Sequence, residues 1–223
     1  MKRKTKRLLI GGGVLLLAAC LFVPHICSVQ LRWDGITRIQ SMNIPAKLPK
    51  GAAAVKEKIS PMLGGTVMGF ALAGILIAVI LMLKKAAKAA KRSLRLIAML
   101  SSFFSMPLHE LMHAWACPAG SEVHLGIVPE KLIGYAVTNA PMNLAQFTAY
   151  MTVPAVVIGI LPLIGALCLR KHHRNQAQFM FIYGMFGLVQ TAPDWFGLIP
   201  VLRQAPADAI VQISNGITYW FTK

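Results

Sequence analysis

LRLIAMLSSFFSMPLHELMHAWAC, at residues 94–117, is a mostly apolar run that two histidines and a glutamate interrupt near its end. About 20 apolar residues are enough for an α-helix to cross the ~30 Å hydrocarbon core of a bilayer. Four other stretches have a similar character, and they lie at 8–24, 66–83, 142–169 and 177–202. The pattern predicts an all-α polytopic membrane protein with about five transmembrane helices.

The composition of the 223 residues agrees with that class. Hydrophobic residues make up 56% of the chain and charged residues 13%, with a formal net charge of +16. The charged share is about half of what a soluble domain uses for its surface. Nucleic-acid-binding proteins cluster their cations on one face of a soluble fold, whereas these cations fall between apolar runs. We therefore expect the lipid bilayer as a partner, and no nucleic acid.

Three cationic groups set the expected orientation. They lie at residues 2–7, 84–95 and 170–174. Short loops rich in Lys and Arg stay in the cytoplasm, so the connections at 25–65 and 118–141 are predicted to lie outside.

The first apolar run has two interpretations. A basic start, an apolar stretch and Leu17-Ala18-Ala19-Cys20 resemble a bacterial lipoprotein cleavage site, in which Cys20 would carry lipid. The apolar run continues beyond Cys20, however, as it does in an uncleaved anchor. Both interpretations stay open.

The most specific motif is His109-Glu110-Leu111-Met112-His113, an HExxH pattern. On an α-helix, residues four apart lie on one face, so both imidazoles can reach one zinc ion. Glu110 beside them can act as a base toward water. The alternative is that the histidines cap or bridge helices, which requires burying two imidazoles and a carboxylate without a metal.

A hydrolytic zinc site needs a third protein ligand and one open position. Glu122, His124 and Glu130 lie in a segment rich in glycine and proline that does not resemble a ligand-bearing helix. Asp194 is the better candidate, because its distance along the chain from Arg174 places it at a depth similar to that of the histidines. Gln190, one turn earlier, is a candidate to hold Asp194 or a ligand histidine in place.

The segment between the two predicted site regions favours a small β-hairpin between the third and fourth spans. Val123, Leu125 and Ile127 alternate with polar residues or glycine, and a similar alternation covers residues 133–137. An exposed strand edge beside a metal site can hold a substrate in extended form. Asn139 and Asn143 lie close by in sequence and are candidates to donate to a developing oxyanion.

At these residues the chain resembles the zincin peptidases of bacterial membranes, a family long catalogued as a domain of unknown function, and through them the intramembrane site-2 proteases. The resemblance covers residues 94–202, with the HExxH element and a late aspartate in the same order. In site-2 proteases the aspartate precedes a glycine, whereas Asp194 precedes Trp195. The resemblance implies a multi-pass protein of the bacterial plasma membrane.

The predicted function is zinc-dependent, membrane-embedded hydrolysis of peptide bonds in a membrane protein or membrane-associated peptide. Zn²⁺ held by His109, His113 and Asp194 would polarise the scissile carbonyl and acidify a water. Glu110 would take the proton of that water and pass it to the leaving amine. A non-catalytic scaffold with a vestigial zincin site, and a protein that only handles metal, remain alternatives.

The predicted organisation has four parts. Residues 1–24 form an anchor or signal segment, and 25–65 an external loop. Residues 66–203 form the membrane-embedded metalloprotease-like domain, and 204–223 an interfacial tail.

Overall fold

The structure, a computed structural model, describes residues 25–57, 63–64, 67, 71, 74, 97–98, 100–101, 104–131 and 133–222. The predicted anchor or signal segment at 1–24 lies outside these residues. The predicted span at 66–83 also lies outside them, except for three positions.

Five α-helices and seven β-strands occur in the described part of the chain. The strands are β1 (Gln30–Ile36), β2 (Ala53–Ala54), β3 (Glu122–Val128), β4 (Ile133–Val137), β5 (Met142–Asn143), β6 (Ile210–Ser214) and β7 (Ile217–Phe221). The helices are α1 (Met106–Ala116), α2 (Leu144–Pro154), α3 (Leu161–Leu169), α4 (Arg174–Gln190) and α5 (Ala192–Gln204).

The first sheet has the strand order β1-β3-β4. β3 and β4 pair antiparallel, and β1 joins β3 in parallel. A bulge between Trp33 and Gly35 interrupts the β1–β3 register. Gly35 has φ of +81°, a conformation that glycine adopts without a steric cost. The hairpin expected at 118–141 is therefore part of a three-stranded sheet.

The second sheet has the strand order β2-β7-β6-β5, with antiparallel pairing throughout. Asn215 and Gly216, with φ of 50° and 74°, form the turn between β6 and β7. An Asn-Gly pair favours the two-residue hairpin turn that matches the strand twist. The tail at 204–223 thus contains a β-hairpin, and the loop predicted at 25–65 contributes a strand to each sheet.

A long helical segment follows the second sheet's edge strand. Asn143 caps α2: its side chain accepts from the backbone N–H of Gln146 at 2.8 Å, and the Gln146 side chain accepts from the backbone N–H of Asn143 at 3.1 Å. Pro154 provides no N–H, and a π-helical stretch, Ala155–Ile160, leads from there into α3. Leu144–Leu169 is thereby a 26-residue helix, long and apolar enough to cross a membrane.

The prediction of an all-α polytopic membrane protein is wrong. The described residues include two β-sheets. Among these residues, Leu144–Leu169 is the one helix that is long and apolar enough to cross a membrane. α1 itself has 11 residues, about 16 Å of helix. The apolar run at 177–202 breaks at Thr191 into two shorter helices. The apolar runs of this chain therefore contribute to the buried core as well as to a long helix.

The core joins the two sheets to α1, α2 and α5. Its fully buried side chains include Val123 of β3, Met142 of β5, Phe147 of α2, Val201 of α5 and Val211 of β6. This packing fixes α1 between the first sheet and α2, and it brings the first turn of α5 close to α1.

Candidate metal centre

Two histidines of α1 face one another one helical turn apart. The Nε2 atoms of His109 and His113 are separated by 3.1 Å. Both residues are buried, with 7% and 5% of their surface exposed. Pro107 lies in the first turn of α1, where its missing N–H costs no helical hydrogen bond. The helix therefore presents two ring nitrogens to one point.

Asp194 reaches the same point from α5. The chain breaks at Thr191, and Asp194 falls in the first turn of the new helix. Its Oδ2 lies 3.4 Å from Nε2 of His109, and its Oδ1 lies 3.5 Å from Nε2 of His113. One ligand atom from each of the three residues lies within 4.8 Å of the other two.

A backbone carbonyl of α2 fixes the orientation of His113. Its Nδ1–H donates to the carbonyl oxygen of Tyr150 at 2.7 Å, and the two rings pack with their centroids 4.8 Å apart. Because a carbonyl can only accept, Nδ1 carries a proton and Nε2 is the atom available to a metal. Sequence reasoning missed this contact, since a main-chain carbonyl leaves no residue signature.

The donor set fits a zinc ion. Two imidazole nitrogens and one carboxylate oxygen are ligands that zinc accepts, and three protein ligands leave a fourth position open. The Oδ2 atom of Asp194 and the Nδ1 atom of His109 are buried without a hydrogen-bond partner among the described residues. A buried carboxylate oxygen directed at two imidazoles is costly unless a cation or a proton compensates it.

The electrostatics of the two histidines differ. Burial lowers the pKa of His109 to about 4, and His113 beside it adds to this effect. Burial also disfavours the charged form of His113, but the charge and hydrogen bond of Asp194 outweigh it and raise the pKa to about 9. A metal that binds here must therefore displace a proton from His113 at neutral pH.

Glu110, next to His109 on α1, contacts β4. Its carboxylate accepts a hydrogen bond from the backbone N–H of Ala136, and burial raises its pKa to about 7. Gly134 makes room for it: a Cβ atom there would lie 2.9 Å from Cγ of Glu110. A carboxyl group that titrates near neutral pH beside a ligand pair is suited to proton transfer.

The part of the chain that contains these residues is similar to a known family. Residues 102–210 match the family described as "Putative zincin peptidase". The matched segment contains α1, β3, β4 and the turn at Asp194. The zincin match implies zinc as the metal and supports a metallopeptidase. No curated protein and no solved structure matches the chain.

Tyr150 also connects α1 to the first sheet. Its hydroxyl donates to the carbonyl oxygen of Ala136 at 2.6 Å, while its own carbonyl holds His113. Both backbone groups of Ala136 are thus engaged, the N–H by Glu110 and the C=O by Tyr150. Ala136, on the edge of β4, therefore contacts Glu110 directly and is linked to His113 through Tyr150.

The remaining predicted site residues have hydrogen bonds of their own. Gln190, at the end of α4, accepts a hydrogen bond from Ser105 Oγ at 3.3 Å. Asn143 caps α2, and Asn139 donates to the carbonyl oxygen of Pro45 at 3.0 Å. The structure gives the two asparagines these roles and does not bring them into the three-residue group.

The alternative third-ligand candidates also lie elsewhere. His124 approaches both oxygens of Asp34 at 3.2 Å, and Tyr135 donates to Asp34 Oδ2 at 3.0 Å. This network ties the bulge of β1 to β3 and β4, on the face of the sheet opposite Gly134. Glu122 approaches Nε2 of His124 at 3.5 Å, and Glu130 is an exposed side chain between β3 and β4.

Proposed function

We propose that this chain is a zinc-dependent endopeptidase that cleaves membrane-associated polypeptides. His109, His113 and Asp194 hold the ion, and Glu110 is the general base. The observation that carries the proposal is the convergence of the Asp194 carboxylate on two neighbouring imidazoles, at 3.4 and 3.5 Å. The zincin match over residues 102–210 supports the assignment.

Zinc bound there would supply Lewis acidity that polarises a scissile carbonyl and lowers the pKa of a water. The residues of the chain do the rest. Glu110 accepts the proton of the attacking water on its carboxylate and returns it to the departing amine nitrogen. The Ala136 N–H holds the carboxylate during both transfers.

The substrate is expected to lie extended beside β4. Backbone pairing along a strand edge unwinds a helical segment and exposes a single peptide bond for attack. Ala136 uses its own backbone groups for Glu110 and Tyr150, so the edge beyond it, at Gly134, is the part that can pair with substrate. The missing side chain at Gly134 leaves space between that edge and Glu110.

Membrane association is part of the proposal, and one helix supports it. Along the 26-residue helix Leu144–Leu169, large apolar side chains are exposed. They are Val156, Ile160, Leu161, Ile164 and Leu167. Exposed apolar side chains along a helix of that length fit a hydrocarbon environment. The site-2-protease-like order, with a HExxH helix and a later aspartate, belongs to the same proposal.

The test is Glu110→Gln in the purified full-length chain, loaded with zinc. We expect unchanged zinc content and a loss of peptide cleavage of about 10²–10⁴-fold, the usual contribution of a general base. Glu130→Gln, which changes an exposed carboxylate, is the matched control. Full activity in Glu110→Gln would remove the proposed base. Zinc binding without cleavage in the wild type would instead favour a scaffold.

A further inference from the structure

An exposed apolar patch lies on the first sheet, on the face that also carries the contacts to Glu110. It consists of Leu31, Trp33 and Ile36 of β1 with Ile127 of β3. Their exposed fractions are 44%, 65%, 78% and 37%. Large apolar side chains grouped at an exposed surface usually mark an interaction site.

The register of the sheet places the patch beside the proposed base. Ile36 pairs with Ile127, and Ile127 pairs with Gly134. Paired residues point to the same side of a sheet, and neighbouring strands lie about 4.8 Å apart. A Cβ atom at Gly134 would point at Glu110. Gly134, Ile127 and Ile36 therefore form a row across the sheet that extends about 10 Å from the Glu110 carboxylate.

The bulge in β1 is what keeps the patch on one face. Side chains alternate between faces along a strand, so Trp33 and Ile36, three positions apart, would normally point to opposite sides. The extra residue between Trp33 and Gly35 restores Ile36 to the side of Trp33. Asp34, within this bulge, is held by His124 and Tyr135, so the patch is formed before any ligand arrives.

We infer that this patch binds an apolar stretch of the polypeptide substrate next to the scissile bond. The inference rests on the proposed function. Ile127 of the patch lies one strand from Gly134, and Ile36 lies two strands away. Because an extended chain rises about 3.3 Å per residue, the patch can contact substrate residues within about three positions of the cleaved bond. The patch is thus a specificity site for bulky apolar side chains.

A polypeptide explains the position of the patch better than a lipid surface or a second copy does. The paired residues Ile36, Ile127 and Gly134 connect the patch to the strand position beside Glu110. A lipid surface or a second copy of the chain would not need to lie next to Glu110.

The test measures peptide binding without cleavage. The full-length Glu110→Gln chain, loaded with zinc, is titrated into two fluorescein-labelled peptides of equal length. One has a central run of Leu and Phe, and the other has Ser and Gln in their place. Trp33→Ser and Ile36→Ser are each expected to weaken binding of the apolar peptide about tenfold or more, as at a binding hot spot.

The control is Ile217→Ser, which changes a side chain that is 47% exposed on β7. We expect it to leave the affinity for the apolar peptide unchanged. Zinc content and far-ultraviolet circular dichroism must stay constant in all variants, since none of these side chains is buried.

Three results would overturn the inference. The first is equal affinity of the unsubstituted patch for the two peptides. The second is a loss of binding to anionic phosphatidylglycerol vesicles in Trp33→Ser with peptide affinity unchanged, which would assign the patch to lipid. The third is a change of oligomeric state with peptide affinity unchanged.

A patch-dependent affinity combined with no cleavage by the wild type would remove the proposed activity and leave the binding site standing, so the two failures are distinguishable.

Discussion

Asp194 Oδ2 lies 3.4 Å from Nε2 of His109, although the two residues come from separate helices near opposite ends of the family match. The Asp194 side chain is 15% exposed, but its Oδ2 atom is buried and has no hydrogen-bond partner in the part of the chain that the structure describes. A cation at this point would compensate the buried charge, and each of the three side chains would supply one ligand atom.

Replacing the carboxylate should therefore abolish metal binding. In Asp194→Ala we expect the zinc content to fall from about one ion per chain to less than about a tenth, because two imidazoles alone make a weak zinc site. Elemental analysis after gel filtration measures this. Asp208→Ala, which removes an exposed carboxylate, should keep its zinc. Full zinc content in Asp194→Ala would show that the third ligand is another group.

Zinc affinity should rise with pH. The His113 pKa of about 9 means that the ring is protonated at neutral pH, and zinc must displace that proton. We expect the apparent zinc affinity to increase about tenfold per pH unit from pH 6 to 8 and to level off above 9. His109, with a pKa of about 4, is already neutral in this range and adds nothing to the slope.

Competition with a chromophoric chelator at each pH measures the slope of the zinc affinity. Calorimetry in two buffers of different ionisation enthalpy should give about one proton released per zinc at pH 7. His172→Ala removes an exposed histidine and should leave the slope as it is. An affinity that does not change with pH would contradict the raised pKa of His113.

The sequence predicts some of this site well and other parts not at all. The spacing of His109 and His113 suffices to bring them together, since α-helical periodicity acts locally. The prediction of Asp194 rests on two parallel membrane spans, whereas in the structure Asp194 reaches the histidines because the chain breaks at Thr191 and begins α5. Tyr150 and Ala136 contribute through backbone groups, whose partners depend on how α2 and β4 pack, and a single sequence does not record that packing.

The fold is less predictable for a related reason. Hydropathy measures how apolar a run is, but it does not reveal whether the apolar face meets lipid or another element. α1 is apolar and short, and it packs between α2 and β4. The β6–β7 hairpin has a local signal in Asn215-Gly216, although this segment was predicted to be an interfacial tail. The parallel pairing of β1 with β3 joins residues about 90 positions apart and has no such signal.

Gly134→Ala should reduce cleavage and leave zinc binding intact. The added methyl group would lie 2.9 Å from Cγ and 3.3 Å from Oε1 of Glu110, so the Glu110 carboxylate must move. A displacement of about 1 Å at a catalytic group costs up to about 10²-fold in rate, and kcat is the parameter expected to fall.

The control for this substitution is Gly197→Ala on α5. There the new methyl meets the terminal methyl of Met151, which can turn aside. This variant should keep both zinc and activity. Unchanged kcat in Gly134→Ala would mean that Glu110 tolerates the shift or has no role in the reaction.

Tyr150→Phe should destabilise the protein without releasing the metal. The substitution removes the 2.6 Å hydrogen bond to the carbonyl oxygen of Ala136 and leaves that buried oxygen unsatisfied, at a cost of about 1–3 kcal/mol. The contact to His113 uses the Tyr150 backbone carbonyl, which the substitution preserves. Urea unfolding gives the free energy change, and elemental analysis gives the zinc content.

Tyr219→Phe is the matched control, because its hydroxyl has no hydrogen bond within the described residues and lies in partly exposed β7. It should change the free energy of unfolding little. Zinc loss in Tyr150→Phe would show that the phenol hydroxyl itself helps to place His113, contrary to the geometry.

The cysteines should separate by reactivity. Cys117 is 1% exposed, its thiol donates to the carbonyl oxygen of His113, and burial raises its pKa to about 12. Only a thiolate reacts readily with a disulfide reagent, so Cys117 should be inert up to pH 9. Cys27 and Cys168 are exposed free thiols.

In a chain carrying Cys20→Ser, Ellman's reagent should find two fast thiols, and the third only after unfolding. Cys117→Ser should keep both fast thiols, and Cys27→Ser should lose one. Because Cys117 ends the helix that carries both histidines, a fast third thiol would mean that α1 opens readily and does not hold His113 in place.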